Sequence, residues 1–208
     1  MLFVEIETFP ALQLPGLRHG FTTRSAGGLA RLEEEMKSSC AALGFPIDRA
    51  AWGEQPHGNR VAAVTAPGRV AEVDALSTST RGLPLLVRVA DCGPVYLHDP
   101  VRQVIALAHS GRRGTEGNIV GETIAHLART HGSRPSDLVV QLGPCIRPPH
   151  YEVDFAAEIG RQAARAGVVH YHDCGACTAC DLTRYYSYRA EKGKTGRMWA
   201  VLMLDEIG

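Results

Sequence analysis

No apolar run in the 208 residues approaches the roughly 20 that a membrane-spanning helix needs. Charge of one sign is not in excess either: Lys and Arg number 22, as do Asp and Glu. A nucleic acid or an anionic membrane surface is therefore not an expected partner. The opening MLFVEIETFP lacks a basic leader and has glutamates at 5 and 7, so it does not read as a signal peptide and a cytoplasmic protein is expected. No repeat, low-complexity tract or linker interrupts the chain, and one domain over residues 1–208 is expected, long enough to bury a core. In that setting the six cysteines read as reduced thiols rather than as a disulfide framework.

What is present is an alternation of short apolar runs with helical patterns. Strands are expected at Phe3–Phe9, Leu17–Thr23, Ala51–Gln55, Val61–Val64, Val70–Leu76, Leu83–Val89, Pro94–Leu97, Val104–Ala108, Leu138–Leu142 and Met198–Leu204. Helices are expected at Ala30–Leu43, Thr115–Thr130, Phe155–Ala166 and Asp181–Arg189, with Gly44 and Gly167 as stops. This mixture points to an α/β or α+β domain. Cys40 falls on the apolar stripe of the first helix and reads as a core thiol.

The segment from Val89 to Gly114 organises the rest. One apolar run ends at Asp91-Cys92, another at His109, and His57 sits in a turn before a third. Strand ends of this kind are where sites in mixed α/β folds are commonly built. Two imidazoles and a thiolate suit zinc, and three protein ligands leave a fourth position open for water or substrate. Each residue also has a plainer reading: His57 as a turn histidine, Cys92 as a nucleophile or a small buried residue, Asp91 as a turn former. Asp91 otherwise orients a ligand histidine or accepts a proton. Asp74 reads as a turn cap. Gly111-Arg112-Arg113-Gly114 opens a helix whose N-terminus and Arg113 suit an anion. Arg24 is either a second anion contact or a solvated loop residue.

The order of FTTR (Phe21–Arg24), QPHGNRV (Gln55–Val61), VDALST (Val73–Thr78), VADCGPV (Val89–Val95), HSGRRG (His109–Gly114), GPCIRPPHYEVD (Gly143–Asp154), Cys177-Thr178 and YYSYR…TGR (Tyr185–Arg197) resembles the YfiH-like, laccase-domain family. That family is also called multicopper polyphenol oxidase or purine nucleoside phosphorylase. The resemblance implies a layered α+β fold with a mixed sheet flanked by helices, akin to a cysteine hydrolase fold. It also implies phosphorolysis of adenosine, guanosine, inosine or methylthioadenosine, and deamination of adenosine. On that reading His57, Cys92 and His109 hold zinc, with copper as the alternative. Purine nucleoside and phosphate are the expected ligands. Gln55 is expected at the base edge, Arg24 and Arg113 at phosphate, and Asp91 at proton transfer, with Asp91, Cys92, His109 and Arg113 forming the catalytic group.

The chain departs from the family pattern in three places. The segment after Gly28 is shorter than in relatives. Arg112 replaces a usual Trp. Cys174, Cys177 and Cys180 stand where the family has one cysteine, matching Cys177. Their C-x2-C-x2-C spacing raises a second metal or cluster, but no fourth ligand is evident, so packing of Cys177 is the expected outcome. Two other activities are open. Multicopper phenol oxidation fits poorly, because His170-x-His172 is a lone pair without repeated copper motifs. A thiol hydrolase acting on an amide, with Cys92 as nucleophile and His109 or His57 as base, is the other, and the resemblance implies peptidoglycan precursors as the substrate of such an amidase.

Overall fold

The computed structural model describes residues 5–24, 37, 38, 40–44 and 47–206. Along the chain the strands are β1 (Ile6–Glu7), β2 (Leu17–Thr22), β3 (Ala51–Gly53), β4 (Val61–Ala63), β5 (Gly68–Val70), β6 (Ala75–Thr78), β7 (Leu85–Val89), β8 (Gly93–Asp99) and β9 (Val104–Ser110). Helices α1 (Arg112–Glu116) and α2 (Ile119–His131) follow, then β10 (Val139–Leu142), α3 (Phe155–Arg165), β11 (His170–Asp173) and β12 (Met198–Leu204).

Two mixed six-stranded sheets result, where the sequence suggested one. The first runs β1-β2-β12-β7-β3-β5 and the second β11-β10-β8-β9-β6-β4. In the first, β12 is antiparallel to β2 and β7, whereas β3 is parallel to β7. In the second, β8 is antiparallel to β9 and β10, whereas β11 is parallel to β10. Successive side chains on a strand point to opposite faces, and β8 and β9 show why their runs are apolar throughout. Tyr96, Ile105 and Leu107 face the other sheet, packing with Phe21, Leu85, Val87 and Leu202. Val95, Leu97, Ala106 and Ala108 face the helices and meet Ile119, Ile124, Leu127, Phe155 and Ile159. A strand buried on both faces has no polar alternation to show. Tyr96 also crosses between the sheets, its hydroxyl donating to the Gly20 carbonyl at 3.0 Å. The outer face of the first sheet is covered by Cys40 and Leu43, with Leu86, Trp199 and Val201 beneath them.

The helical expectations hold in part. α3 begins at Asp154, whose carboxylate accepts from Ala157 N, satisfying a donor that the helix itself leaves free. The pattern at Thr115–Thr130 is two helices, broken at Asn118, which has φ 61°. α2 ends on Gly132 at φ 70°, whose N–H returns to Ala128 O, a helix stop that glycine allows without strain. Of the helix expected at Ala30–Leu43, residues 37, 38 and 40–42 are helical, Leu43 is in a turn, and the remainder lies outside the described residues.

Asp181–Arg189 is not a helix. The Asp181 carboxylate takes the N–H groups of Thr183 and Arg184, a side-chain turn that competes with helical bonding. Val70–Leu76 likewise divides: β5 ends at Val70, β6 begins at Ala75, and Asp74 lies between them. No helix among the described residues is long and apolar enough to cross a membrane.

Candidate active site

The polypeptide leaves the first sheet at Val89 and enters the second at Gly93, so Ala90, Asp91 and Cys92 bridge the two sheets at one end of the sandwich. The hairpin register pairs Gly93 with Ser110 and Pro94 with His109. That register carries Cys92 against Gly111, where a Cβ would lie 2.4 Å from the Cys92 sulfur. Glycine is needed there for the close approach rather than for its backbone angles. His57 arrives from the turn between β3 and β4. Potential ligand atoms of His57, Cys92 and His109 lie within 4.8 Å of one another, and no other such group of three or more occurs among the described residues. The two imidazole rings meet edge to face at 4.8 Å between centroids.

Asp74 holds this arrangement. Its carboxylate, wholly buried, lies 2.9 Å from His109 Nδ1. It also accepts the backbone N–H groups of His57 at 2.9 Å and Gly58 at 2.7 Å, and the Asp74 carbonyl accepts from His109 N at 2.7 Å. His57 has φ 66°, a left-handed conformation uncommon outside glycine. The two N–H bonds to Asp74 fix that turn. With Nδ1 engaged, His109 turns Nε2 to the site, an orientation metal-binding histidines commonly receive from a carboxylate.

Electrostatics follow the geometry. Burial disfavours the Cys92 thiolate, but hydrogen bonds from His109 and His57 and the charge on both rings outweigh it and hold its pKa down to about 6. Burial disfavours a charged His109, yet bonds to Asp74 and Cys92 raise its pKa to about 9. Asp74 is lowered: burial opposes its ionisation, and His109, Gly58 and His57 more than compensate. Two imidazoles and a readily ionised thiol within reach of one another form a donor set that fits zinc or another soft-accepting transition metal.

The three side chains open onto a cavity of about 820 Å³, within the usual range for small-molecule sites. Gln55, Asp91 and Arg113 line it, as do Tyr151, Phe155 and Tyr188. The Gln55 amide is bound to the Arg88 backbone, Nε2 donating to the carbonyl at 2.7 Å and Oε1 accepting the N–H at 3.0 Å. Asp91 does not contact a histidine; its oxygens accept from Thr178 Oγ1 at 2.7 Å and Arg189 N at 2.8 Å. Arg24 is absent from the lining. It donates to the Tyr185 carbonyl, pairs with Glu191 at 2.8 Å and lies 4.3 Å over the Tyr186 ring.

Sequence reasoning passed over Asp74, which lies buried behind the cavity, because only the β6–β9 register, Ala75 opposite Ala108, brings it beside His109. It also passed over Arg88, Lys192 and Arg197 of the cavity wall. Arg88 is the single charge in an otherwise apolar strand, which was a signal. Burial and then repulsion by Arg197 and Arg69 lower its pKa. Arg88, Arg113, Lys192 and Arg197 all line the cavity and have no carboxylate partner among the described residues. Arg189 and Arg112, by contrast, pair with Glu152.

Comparison with known proteins shows the fold and the family. The model of the family described as "Multi-copper polyphenol oxidoreductase laccase" matches residues 21–159 and 153–205. A Deinococcus radiodurans protein called purine nucleoside phosphorylase is 37% identical, the alignment covering 94% of this chain and 93% of the relative. A Streptomyces coelicolor protein with the same description is 32% identical, covering 91% and 96%. Among solved structures, YlmD from Geobacillus stearothermophilus superposes with a TM-score of 0.85 at 26% identity, covering 95% of this chain and 94% of that one. YfiH from Bacillus licheniformis, at 23% identity and TM-score 0.80 over 91% and 93% of the two chains, shares the fold. The chain belongs to the multi-copper polyphenol oxidoreductase laccase family, the YfiH-like group whose members include proteins named purine nucleoside phosphorylase.

Proposed function

We propose that this protein is a zinc-dependent purine nucleoside phosphorylase. The observation that carries the reading is the meeting, in one cavity, of the His57–Cys92–His109 donor set with four cations that lack carboxylate partners. Uncompensated cations at a cavity wall favour an anion such as phosphate. The names of the relatives supply the nucleoside.

In phosphorolysis the C1′–N9 bond breaks, C1′ bonds to a phosphate oxygen, and the base leaves with the electron pair and takes up a proton. Arg113, Arg88, Arg197 and Lys192 seat and orient the phosphate. Arg24, taken up by Glu191, is better read as scaffold. Asp91, held by Thr178 and Arg189 at the cavity wall, is the candidate for proton transfer. Tyr151 and Tyr188 offer flat apolar surface to the base, and the free lone pair of Gln55 Oε1 and its second N–H remain available at the base edge. A zinc ion held by His57, Cys92 and His109 would supply Lewis acidity and a bound water of lowered pKa. The same chemistry suits a second activity, deamination of adenosine, in which water replaces the amino group and ammonia leaves. Phenol oxidation by several coppers has less support, since one donor cluster is formed among the described residues.

The test is direct. Inosine, guanosine, adenosine and methylthioadenosine are incubated with the protein, with and without phosphate, and ribose 1-phosphates and free bases are measured. Phosphate-dependent release of the base is expected. Base release that is indifferent to phosphate, or none from any of the four, would reject phosphorolysis.

A second reading has a specific observation behind it. Asp74 is bonded to His109 Nδ1, and potential ligand atoms of His109 and Cys92 lie within 4.8 Å of each other, the arrangement from which a thiol nucleophile and its base are built. Amide hydrolysis that persists in metal-stripped protein and vanishes on alkylation of Cys92 would favour this reading over the first.

A further inference from the structure

The segment 174–180 contains two overlapping C-x2-C spacings, and the structure treats them differently. Cys174 hydrogen-bonds from its N–H to Leu142 O and packs into the core between the two sheets. Cys177 bridges to Cys145 and packs instead against the helix-side core. These two thiols therefore belong to separate cores. Cys177 and Cys180 are joined by a turn that closes between them, with Cys180 N donating to Cys177 O at 3.2 Å. Such a turn holds its first and fourth Cα atoms within about 7 Å, overlapping the roughly 4.4–6.8 Å that a disulfide requires. Cys180 is exposed and Cys177 half-buried. No three of these thiols gather as a metal cluster among the described residues.

Thr178 lies within this turn. Its hydroxyl donates to Asp91 Oδ1 at 2.7 Å and its N–H to Cys145 O at 3.1 Å. Asp91 in turn accepts Arg189 N on its other oxygen and precedes Cys92 in the chain. A change in the turn is thus one hydrogen bond away from the cavity wall.

We propose that Cys177 and Cys180 are a reversible disulfide site, oxidised by low-molecular-weight disulfides, whose closure is transmitted through Thr178 to Asp91. Exposed Cys180 takes the first exchange, its thiolate attacking the small disulfide and releasing one small thiol. Cys177 then attacks the Cys180 sulfur of the mixed disulfide and releases the second. The protein loses two hydrogens and two electrons, and the small disulfide is reduced to two thiols, so the exchange balances without another reactant.

The test uses the full chain in mixtures of reduced and oxidised glutathione, followed by acid quench, alkylation and peptide mass mapping. A Cys177–Cys180 link that forms with oxidation and is reversed by dithiothreitol is expected. It should survive Cys174→Ser and be lost in Cys180→Ser with Cys177 left as a free thiol. Cys177 and Cys180 separately alkylated in the most oxidising mixture, or glutathione retained on Cys180, would overturn the site.

Transmission is read independently by amide exchange at Arg189, the donor to Asp91. About five- to tenfold faster exchange is expected on oxidation of the wild type, the scale of one hydrogen bond lost, and none in Cys180→Ser. Equal exchange in both redox forms of the wild type would remove the link to Asp91. Both readouts are independent of the nucleoside reading.

Discussion

His109 Nδ1 lies 2.9 Å from Asp74 Oδ1, and the two residues are joined a second time through His109 N and the Asp74 carbonyl at 2.7 Å. The double link is a consequence of sheet register. Ala75 pairs with Ala108, so the residues just outside that pair, Asp74 and His109, come together where β6 begins and β9 nears its end. The same carboxylate closes the His57 turn through two N–H groups. One buried aspartate therefore positions both histidines of the candidate metal centre.

Asp74→Asn tests that role. The amide retains one acceptor oxygen but places an NH2 where a carboxylate oxygen accepted, leaving a neighbouring N–H unsatisfied at a cost of roughly 1–3 kcal/mol. Zinc affinity, measured by competition with a chelator, should fall about 10- to 100-fold, as for other outer partners of metal-bound histidines. Unchanged affinity in a folded variant would show that Asp74 does not orient the site.

Gly111→Ala should act on Cys92 with little effect on the fold. Position 111 has φ −100°, open to any residue, so no backbone strain is introduced. The added methyl would sit 2.4 Å from the Cys92 sulfur and 3.8 Å from His57 Cδ2, and the thiol must move. Metal content per chain, by elemental analysis, should drop well below that of the wild type while the circular dichroism spectrum is retained. Full occupancy would show that the cradle has more room than this geometry allows.

The pH dependence of Cys92 gives a third check, on metal-stripped protein. Its folded pKa of about 6 is depressed, so the thiolate is present above that value and lost as pH falls through it. Iodoacetamide modification of Cys92, followed by peptide mapping, should be half-maximal near pH 6, where an ordinary thiol titrates near about 8.5. Cys40 and Cys174, whose burial pushes their thiols up to about 12 and about 11, should be silent over the same range. His109→Ala should shift the Cys92 midpoint upward. A wild-type midpoint above pH 8 would contradict the hydrogen-bonded thiolate.

How much of this could be read from the residues depends on whether a feature is local. The strands β8, β9, β10 and β12 were legible as apolar runs because both their faces are buried. The grouping of His57, Cys92 and His109 was legible from strand ends and motif order. The second sheet was not, since pairing partners lie far apart in the chain, up to 187 residues for Leu17 of β2 and Leu204 of β12. Asp74 was missed because an aspartate before a strand looks like a turn cap until the register is known. Asp181–Arg189 failed as a helix because Asp181 takes the N–H groups its pattern would have given to helical bonds. Arg24 ends a strand as the residues of the candidate site do, but its partner Glu191, 167 positions away in the chain, holds it outside the cavity.

The division of the arginines gives the last prediction. Arg24 is bonded to the Tyr185 carbonyl, to Glu191 and to the Tyr186 face, so Arg24→Ala should leave a half-buried carboxylate unpaired. A loss of roughly 1.5–3 kcal/mol follows from hydrogen bonds to charged groups, and each kcal/mol lowers Tm by about 2–4 °C in a chain of this size. Its KM for phosphate should stay near the wild-type value. Arg88 and Arg113 have no such commitments and line the cavity. Arg113→Ala and Arg88→Gln should therefore raise the KM for phosphate about tenfold or more while altering the KM for inosine little, a loss of ground-state binding to the anion alone. Relieving Arg88 of its repulsion with Arg197 and Arg69 should also leave Tm unchanged or raised in Arg88→Gln. The opposite pattern, a phosphate defect in Arg24→Ala at normal Tm with none in Arg88→Gln or Arg113→Ala, would move the anion seat to the Arg24 side of the molecule.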